Sequence, residues 1–142
     1  MENVVVDSSV AIKWFANEVD SDKARQLLKQ YLDGEIKFYV PDLFYSEVGN
    51  IFWKKVSMQG FKESDANESF EKLSRVEITV SSTISLHQAA MLIALKHNRT
   101  FYDSLYIALS QEIKCDFITA DERMFNAVHR EFPAVKLLST SA

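Results

Sequence analysis

Short apolar runs alternate along this chain with longer stretches in which apolar residues return every three or four positions. Val4-Val5-Val6 is a continuous β-branched run that ends at Asp7, the signature of a central strand buried on both faces. Phe38-Tyr39-Val40, Val76–Val80, Asp116–Thr119 and Val135–Leu138 predict four further strands. Between them the period changes. Ser8 and Ser9 are placed to cap a short helix through Val10, Ile12, Trp14 and Phe15, and Ala24, Leu27, Leu28, Tyr31 and Leu32 mark a second, stopped by Asp33-Gly34. Pro41-Asp42 is read as opening a long helix with Leu43, Phe44, Val48, Ile51 and Phe52 on one face, closed by Gly60. Ala66, Phe70 and Leu73 predict the next, and Leu86, Ala89, Ala90, Ile93, Ala94 and His97 the most regular of all. Tyr102, Leu105, Tyr106, Leu109 and Ile113 mark another, and Met124, Phe125 and Val128 a short one capped by Asp121.

Apolar strands separated by helices imply a central parallel sheet of four to five strands covered on both faces, a three-layer α/β/α sandwich. At 142 residues the chain suits one domain spanning 1–142. Three glycines and two prolines leave little room for disordered linkers. A single cysteine, Cys115, excludes an internal disulfide and a Cys/His zinc site, which fits a reducing, cytoplasmic setting. No basic leader or long apolar segment precedes the first strand. The formal net charge of −4 argues against coating nucleic acid by bulk attraction, so any such ligand requires a local reversal of sign.

In an open α/β sheet, ligands bind beyond the carboxyl ends of the strands. Four acids are predicted to reach that rim. Asp7 directly follows the first strand, and Asp121 lies two residues after the fourth. Glu47 sits early in the helix leaving the second strand. Asp103 opens a helix that must run back to the amino edge to feed the fourth strand, so it too starts at the carboxyl rim. Taken singly, Asp103 and Asp121 are ordinary helix caps and Glu47 an ordinary helix acid. Together they repel one another unless a cation intervenes. Oxygen-only ligation selects a hard ion, Mg²⁺ or Mn²⁺, whose chemistry at a phosphate is in-line hydrolysis of a phosphodiester.

VVVDSSV, PDLFYSEVGNIFWK, TFYDSLYIALS and TADERMF carry these acids in an order and context that resemble the PIN-domain ribonucleases of the VapC toxin type, over nearly the whole chain. The resemblance implies that Asp7, Glu47, Asp103 and Asp121 are the catalytic, metal-binding quartet. It further implies that Ser9 is a phosphate or metal-shell contact and that Thr119 orients Asp121. It also implies metal-dependent endonucleolytic cleavage of RNA, homodimerisation and inhibition by a cognate antitoxin.

Lys13, Arg99 and Arg123, close in sequence to three of the acids, are candidate phosphate contacts beside the plainer reading of solvated charges. His87, His97 and His129 lack ligand spacing, Cys115 lacks a histidine partner, and Tyr31, Tyr39, Tyr45, Tyr102, Tyr106, Trp14 and Trp53 read first as core or interface. Three other functions compete. One is a housekeeping PIN nuclease of RNA processing or decay. Another is a catalytically silent module binding metal or a partner, receiver-like proteins included, yet the third strand ends in Ser81-Ser82 where a receiver needs its phospho-acceptor. The third, an aspartyl phosphatase, would want a second Asp at position 9, which is Ser.

Overall fold

The valine run forms β1 (Glu2–Val6), whose Val5 and Val6 are wholly buried as a strand covered on both faces requires. A computed structural model describes residues 1–140. β1 lies at the centre of a five-stranded, wholly parallel sheet with β2 (Ile36–Pro41), β3 (Ile78–Ser81), β4 (Asp116–Thr119) and β5 (Val135–Leu137), in the order β3-β2-β1-β4-β5.

Among the described residues seven helices flank the sheet, completing the α/β/α sandwich: α1 (Ser8–Phe15), α2 (Ser21–Leu32), α3 (Phe44–Gln59), α4 (Glu63–Ser74), α5 (His87–His97), α6 (Phe101–Ile113) and α7 (Glu122–Val128). Right-handed crossovers put α1 to α4 on one face, since β1, β2 and β3 step in one direction, and α5 to α7 on the other, since the chain then doubles back to β4 and β5. The packing agrees: α1 touches α2 and α3, α3 touches α4, and α5 lies along α6. Phe38, Phe44, Tyr106, Phe117 and Leu73 are among the largest fully buried side chains.

Several boundaries differ from the sequence reading for identifiable reasons. Asp7, not Ser8 or Ser9, caps α1, with its carboxylate accepting from Val10 N at 3.3 Å. Pro41 ends β2 instead of opening α3, and the Asp42 carboxylate is engaged by the backbone N (3.3 Å) and Oγ1 (2.9 Å) of Thr83, so α3 begins only at Phe44. Val76 is outside β3 because its N–H closes a turn onto Leu73 O and Glu77 N binds the Tyr31 hydroxyl. Thr100, and not Asp103, caps α6 by accepting from Asp103 N.

The sheet order reverses between β1 and β4. That switch point opens a crevice at the carboxyl ends of the two strands, with α1 and α3 on one side and α6 on the other.

Candidate functional site

Pairing of Val6 with Ile118 places Asp7 opposite Thr119 one step further along the seam. Thr119 Oγ1 donates to Asp7 Oδ2 at 2.6 Å and accepts from Asp121 N at 3.0 Å, so one buried hydroxyl ties the two acids of the seam together. Its contact with Asp121 is through the backbone, and its proton goes to Asp7. Ser9 Oγ donates to Asp7 Oδ1 at 2.5 Å and accepts from Ala120 N at 3.0 Å. With Val10 N on Oδ1 as well, Asp7 uses three of the about four acceptor positions of a carboxylate. Asp121 caps α7, its Oδ1 taking Met124 N at 3.0 Å.

The other two acids stand on helices. Glu47 and Asp103 lie in the first turns of α3 and α6, in each case the turn nearest the sheet's carboxyl rim. One turn beyond Asp103, Tyr106 sends its hydroxyl across to Glu47 Oε1 at 2.6 Å while its ring stacks on Phe117 of β4, centroids 5.6 Å apart. Tyr106 is thus a site residue that sequence reading placed in the core, where its ring indeed lies. The available signal was its position three residues after Asp103, on the same side of the helix.

Asp7 is 5% exposed, and burial pushes its carboxyl up to about 6 against the pull of the Ser9, Thr119 and Val10 donors, with the Asp103 charge adding to the rise. Burial likewise raises Glu47, opposed by the Tyr106 hydroxyl and reinforced by Asp103. Asp103 is raised by burial and by the charge of Asp121, against the Thr100 hydroxyl and the Arg99 guanidinium. The Tyr106 hydroxyl is pushed far up by burial and then by Glu47, Asp7 and Asp103, so it stays protonated and always donates. The charge of Asp103 thus bears on Asp7 and Glu47 and that of Asp121 on Asp103, from four separated segments, and no ion pair reaches Asp7 among the described residues.

This donor set fits a hard divalent cation: oxygen ligands only, with Asp7, Glu47 and Asp103 held above their ordinary range and no basic partner for the buried Asp7 among the described residues. Among the described residues no three acidic, histidine or cysteine side chains are drawn together closely enough to enclose an ion by themselves. An ion bound here would retain water in its shell, as Mg²⁺ usually does.

The basic candidates fare differently. Arg99 acts on the charge of Asp103, and its Nε donates to Asn98 O at 3.1 Å. Arg123 is exposed on α7. Lys13 is largely covered and pairs with Glu18, which also holds Lys55. Sequence reading passed over Glu18 and Lys55, 37 positions apart, because nothing local links them. The histidines make contacts of their own: His97 pairs with Glu131, His87 meets Phe101 edge-on, and His129 stacks on Phe125. Burial pushes the Cys115 thiol up to about 11, leaving it protonated and inert.

A family model described as PIN domain matches residues 4–131. Ribonuclease VapC3 of Pyrobaculum aerophilum is 28% identical over 134 residues, covering 93% of this chain and 96% of that protein. Ribonuclease VapC9 of Mycobacterium tuberculosis is 24% identical over 130 residues, covering 92% and 94%. Among solved structures, PAE2754 from Pyrobaculum aerophilum superposes with a TM-score of 0.70 at 17% identity, over 98% of this chain and 92% of that one. VapC20 of Mycobacterium tuberculosis, described as a sarcin-ricin loop cleaving toxin, gives 0.63 at 14% identity, over 88% and 95%. These two structural likenesses speak for the fold.

Proposed function

The chain belongs to the PIN-domain family, and from that premise we propose that it is an endoribonuclease dependent on Mg²⁺ or Mn²⁺ and the toxin of a toxin–antitoxin pair. The observation that carries the reading is the convergence of Asp7, Glu47, Asp103 and Asp121 on the switch point of the sheet, where the charge of Asp103 raises Asp7 and Glu47 and that of Asp121 raises Asp103. The ribonuclease names of its relatives and the toxin description of one structural neighbour support it.

In this reading the four acids hold the ion, which supplies a seat for a phosphate oxygen, a water of lowered pKa and positive charge for the leaving oxygen. The chain's own groups do the positioning. Ser9, Thr119 and Val10 N fix both oxygens of Asp7 and leave it room for a single further contact. Tyr106 fixes Glu47, while the cap to Met124 occupies only one oxygen of Asp121. The buried carboxyl ends of β1 (Val4 to Val6) and β4 (Phe117 to Thr119) behind Asp7 exclude water from one side of the site, which strengthens each electrostatic contact there.

Incubating RNA with the protein in Mg²⁺ or Mn²⁺, with and without chelator, tests the assignment against Asp7→Asn and Asp103→Asn. Cleavage by wild type alone, abolished by chelator, is expected; equal cleavage in every sample would defeat it. Growth arrest on expression, relieved by an antitoxin, separates the toxin from a housekeeping nuclease. The proposed homodimer is supported by an apolar outer surface at α5 and its flanks, where Ile84, Leu92, Leu95 and Tyr102 are each at least 60% exposed. Light scattering reads it directly: a dimer is expected, and Leu95→Asp should shift it toward monomer.

A further inference from the structure

A pocket of about 380 Å³ opens between α1 and α3 beside the acids, walled by Ser9, Lys13, Glu18, Lys54, Lys55 and Ala120 among others. Ser9 and Ala120 join it to the acidic site, because Ser9 Oγ binds Asp7 on one side and Ala120 N on the other. Three lysines and a single glutamate line it, so the sign of the charge reverses locally in a chain whose net charge is −4.

Lys13 and Lys55 are each only 14% exposed at the side chain, unusual for a residue type that normally keeps its ammonium in water. Both converge on the carboxylate of Glu18, Lys13 Nζ at 3.3 Å from Oε1 and Lys55 Nζ at 2.5 Å from Oε2. Against burial, which raises it, Lys55 and Lys13 together pull the Glu18 carboxyl below its ordinary range. Glu18 stands in the segment between α1 and α2, outside either helix, and its N–H is held by Ser21 Oγ at 2.9 Å. A carboxylate gathered by two converging ammonium groups presents the charge and acceptor geometry that a phosphodiester oxygen would present there.

We propose that this pocket is the seat of an RNA backbone phosphate next to the one that reacts, with Lys13, Lys55 and Lys54 as its contacts and Glu18 as an internal occupant that the phosphate displaces. The inference rests on the ribonuclease reading above. Glu18 then sets a threshold: a single phosphate competes with it poorly, whereas a polynucleotide held also at the acidic site competes well. A merely structural role for Glu18, tying α1 to α3, makes the opposite forecast for its removal.

The test is binding of a labelled single-stranded RNA to the full chain with Ca²⁺ in place of Mg²⁺, so that the acidic site is filled while cleavage is suppressed, across a series of salt concentrations, with melting temperatures recorded for each variant. Glu18→Gln should bind RNA more tightly, by about three- to tenfold for the loss of one competing charge near the surface. Lys13→Gln with Lys55→Gln should weaken binding about tenfold or more and flatten the salt dependence by about 0.7 for each phosphate left without its lysine. Lys55→Arg keeps the charge and should keep the affinity. Unchanged or weaker binding by Glu18→Gln, an unaltered salt slope in the double variant, or equal losses from Lys55→Arg and Lys55→Gln would overturn the proposal. A wild type that binds and cleaves RNA while these variants behave alike defeats this inference alone; one that binds no RNA defeats both it and the ribonuclease reading.

Discussion

Asp7 and Asp121 leave the carboxyl ends of β1 and β4, adjacent strands at the centre of the sheet, whereas Glu47 and Asp103 stand in the first turns of helices on opposite faces of it. On the seam, position is fixed by the backbone itself: register sets Asp7 against Thr119, and Thr119, Ser9 and two helix caps complete the fastening. On the helices, position depends on how α3 and α6 pack, and one hydroxyl contact from Tyr106, at 2.6 Å, spans the gap between them. A site assembled from a rigid half and an adjustable half can bind an ion by small helix-borne movements without disturbing the sheet.

Removing an acid from either half should abolish cleavage about equally if each is a ligand, as proposed. Asp7→Asn and Asp103→Asn should each lower RNA cleavage in Mg²⁺ by more than about a hundredfold, beyond the ten- to hundredfold usual for a supporting contact. The halves should separate on stability. Thr119→Val leaves a buried carboxylate short of a donor and should cost about 1 to 3 kcal/mol in urea unfolding, together with activity. Tyr106→Phe should lower activity about tenfold while the ring keeps its stacking on Phe117, so its effect on unfolding should be the smaller of the two. A reversed order would mean that the helices, and not the seam, form the rigid half.

Burial of charge is common to both halves. Because the folded protein holds the Asp7 proton up to about 6, from an ordinary 3.8, it binds more protons than the unfolded chain between those values. Metal-free stability should therefore fall as pH rises through that window, by up to about 3 kcal/mol from Asp7 alone. The raised carboxyls of Glu47 and Asp103 act in the same direction. Asp7→Asn should flatten the profile and raise the metal-free melting temperature near neutral pH, because the amide carries no charge to bury. A profile identical to wild type would remove the buried charge from the account.

The sheet and its carboxyl rim were legible because parallel strands buried on both faces read as unbroken apolar runs, as Val4-Val5-Val6 does. The four acids could be assigned to one rim from chain direction alone. Pairwise contacts could not be read, since Tyr106 to Glu47 and Lys55 to Glu18 join residues 59 and 37 positions apart. Ends of elements were misjudged wherever a side chain had a better partner than the local one, as with Asp42 and Thr83. The regular pattern of α5 was only half informative: of its stripe Leu86, Ala90 and Ile93 are buried but Ala89 is exposed, and it gave no sign of the outward surface formed by Leu92 and Leu95, which lie off the stripe.

The central claim is that seam and helices contribute to one cation site. Calorimetric titration of Mn²⁺ into the full chain at pH 7.5 tests it most directly, with wild type, Asp7→Asn and Asp103→Asn compared and the wild type repeated at pH 5. Saturable binding by wild type, lost in both variants and weakened up to about tenfold for each pH unit below 6 as Asp7 takes up its proton, is the predicted result. Undiminished Mn²⁺ binding in either variant would contradict it.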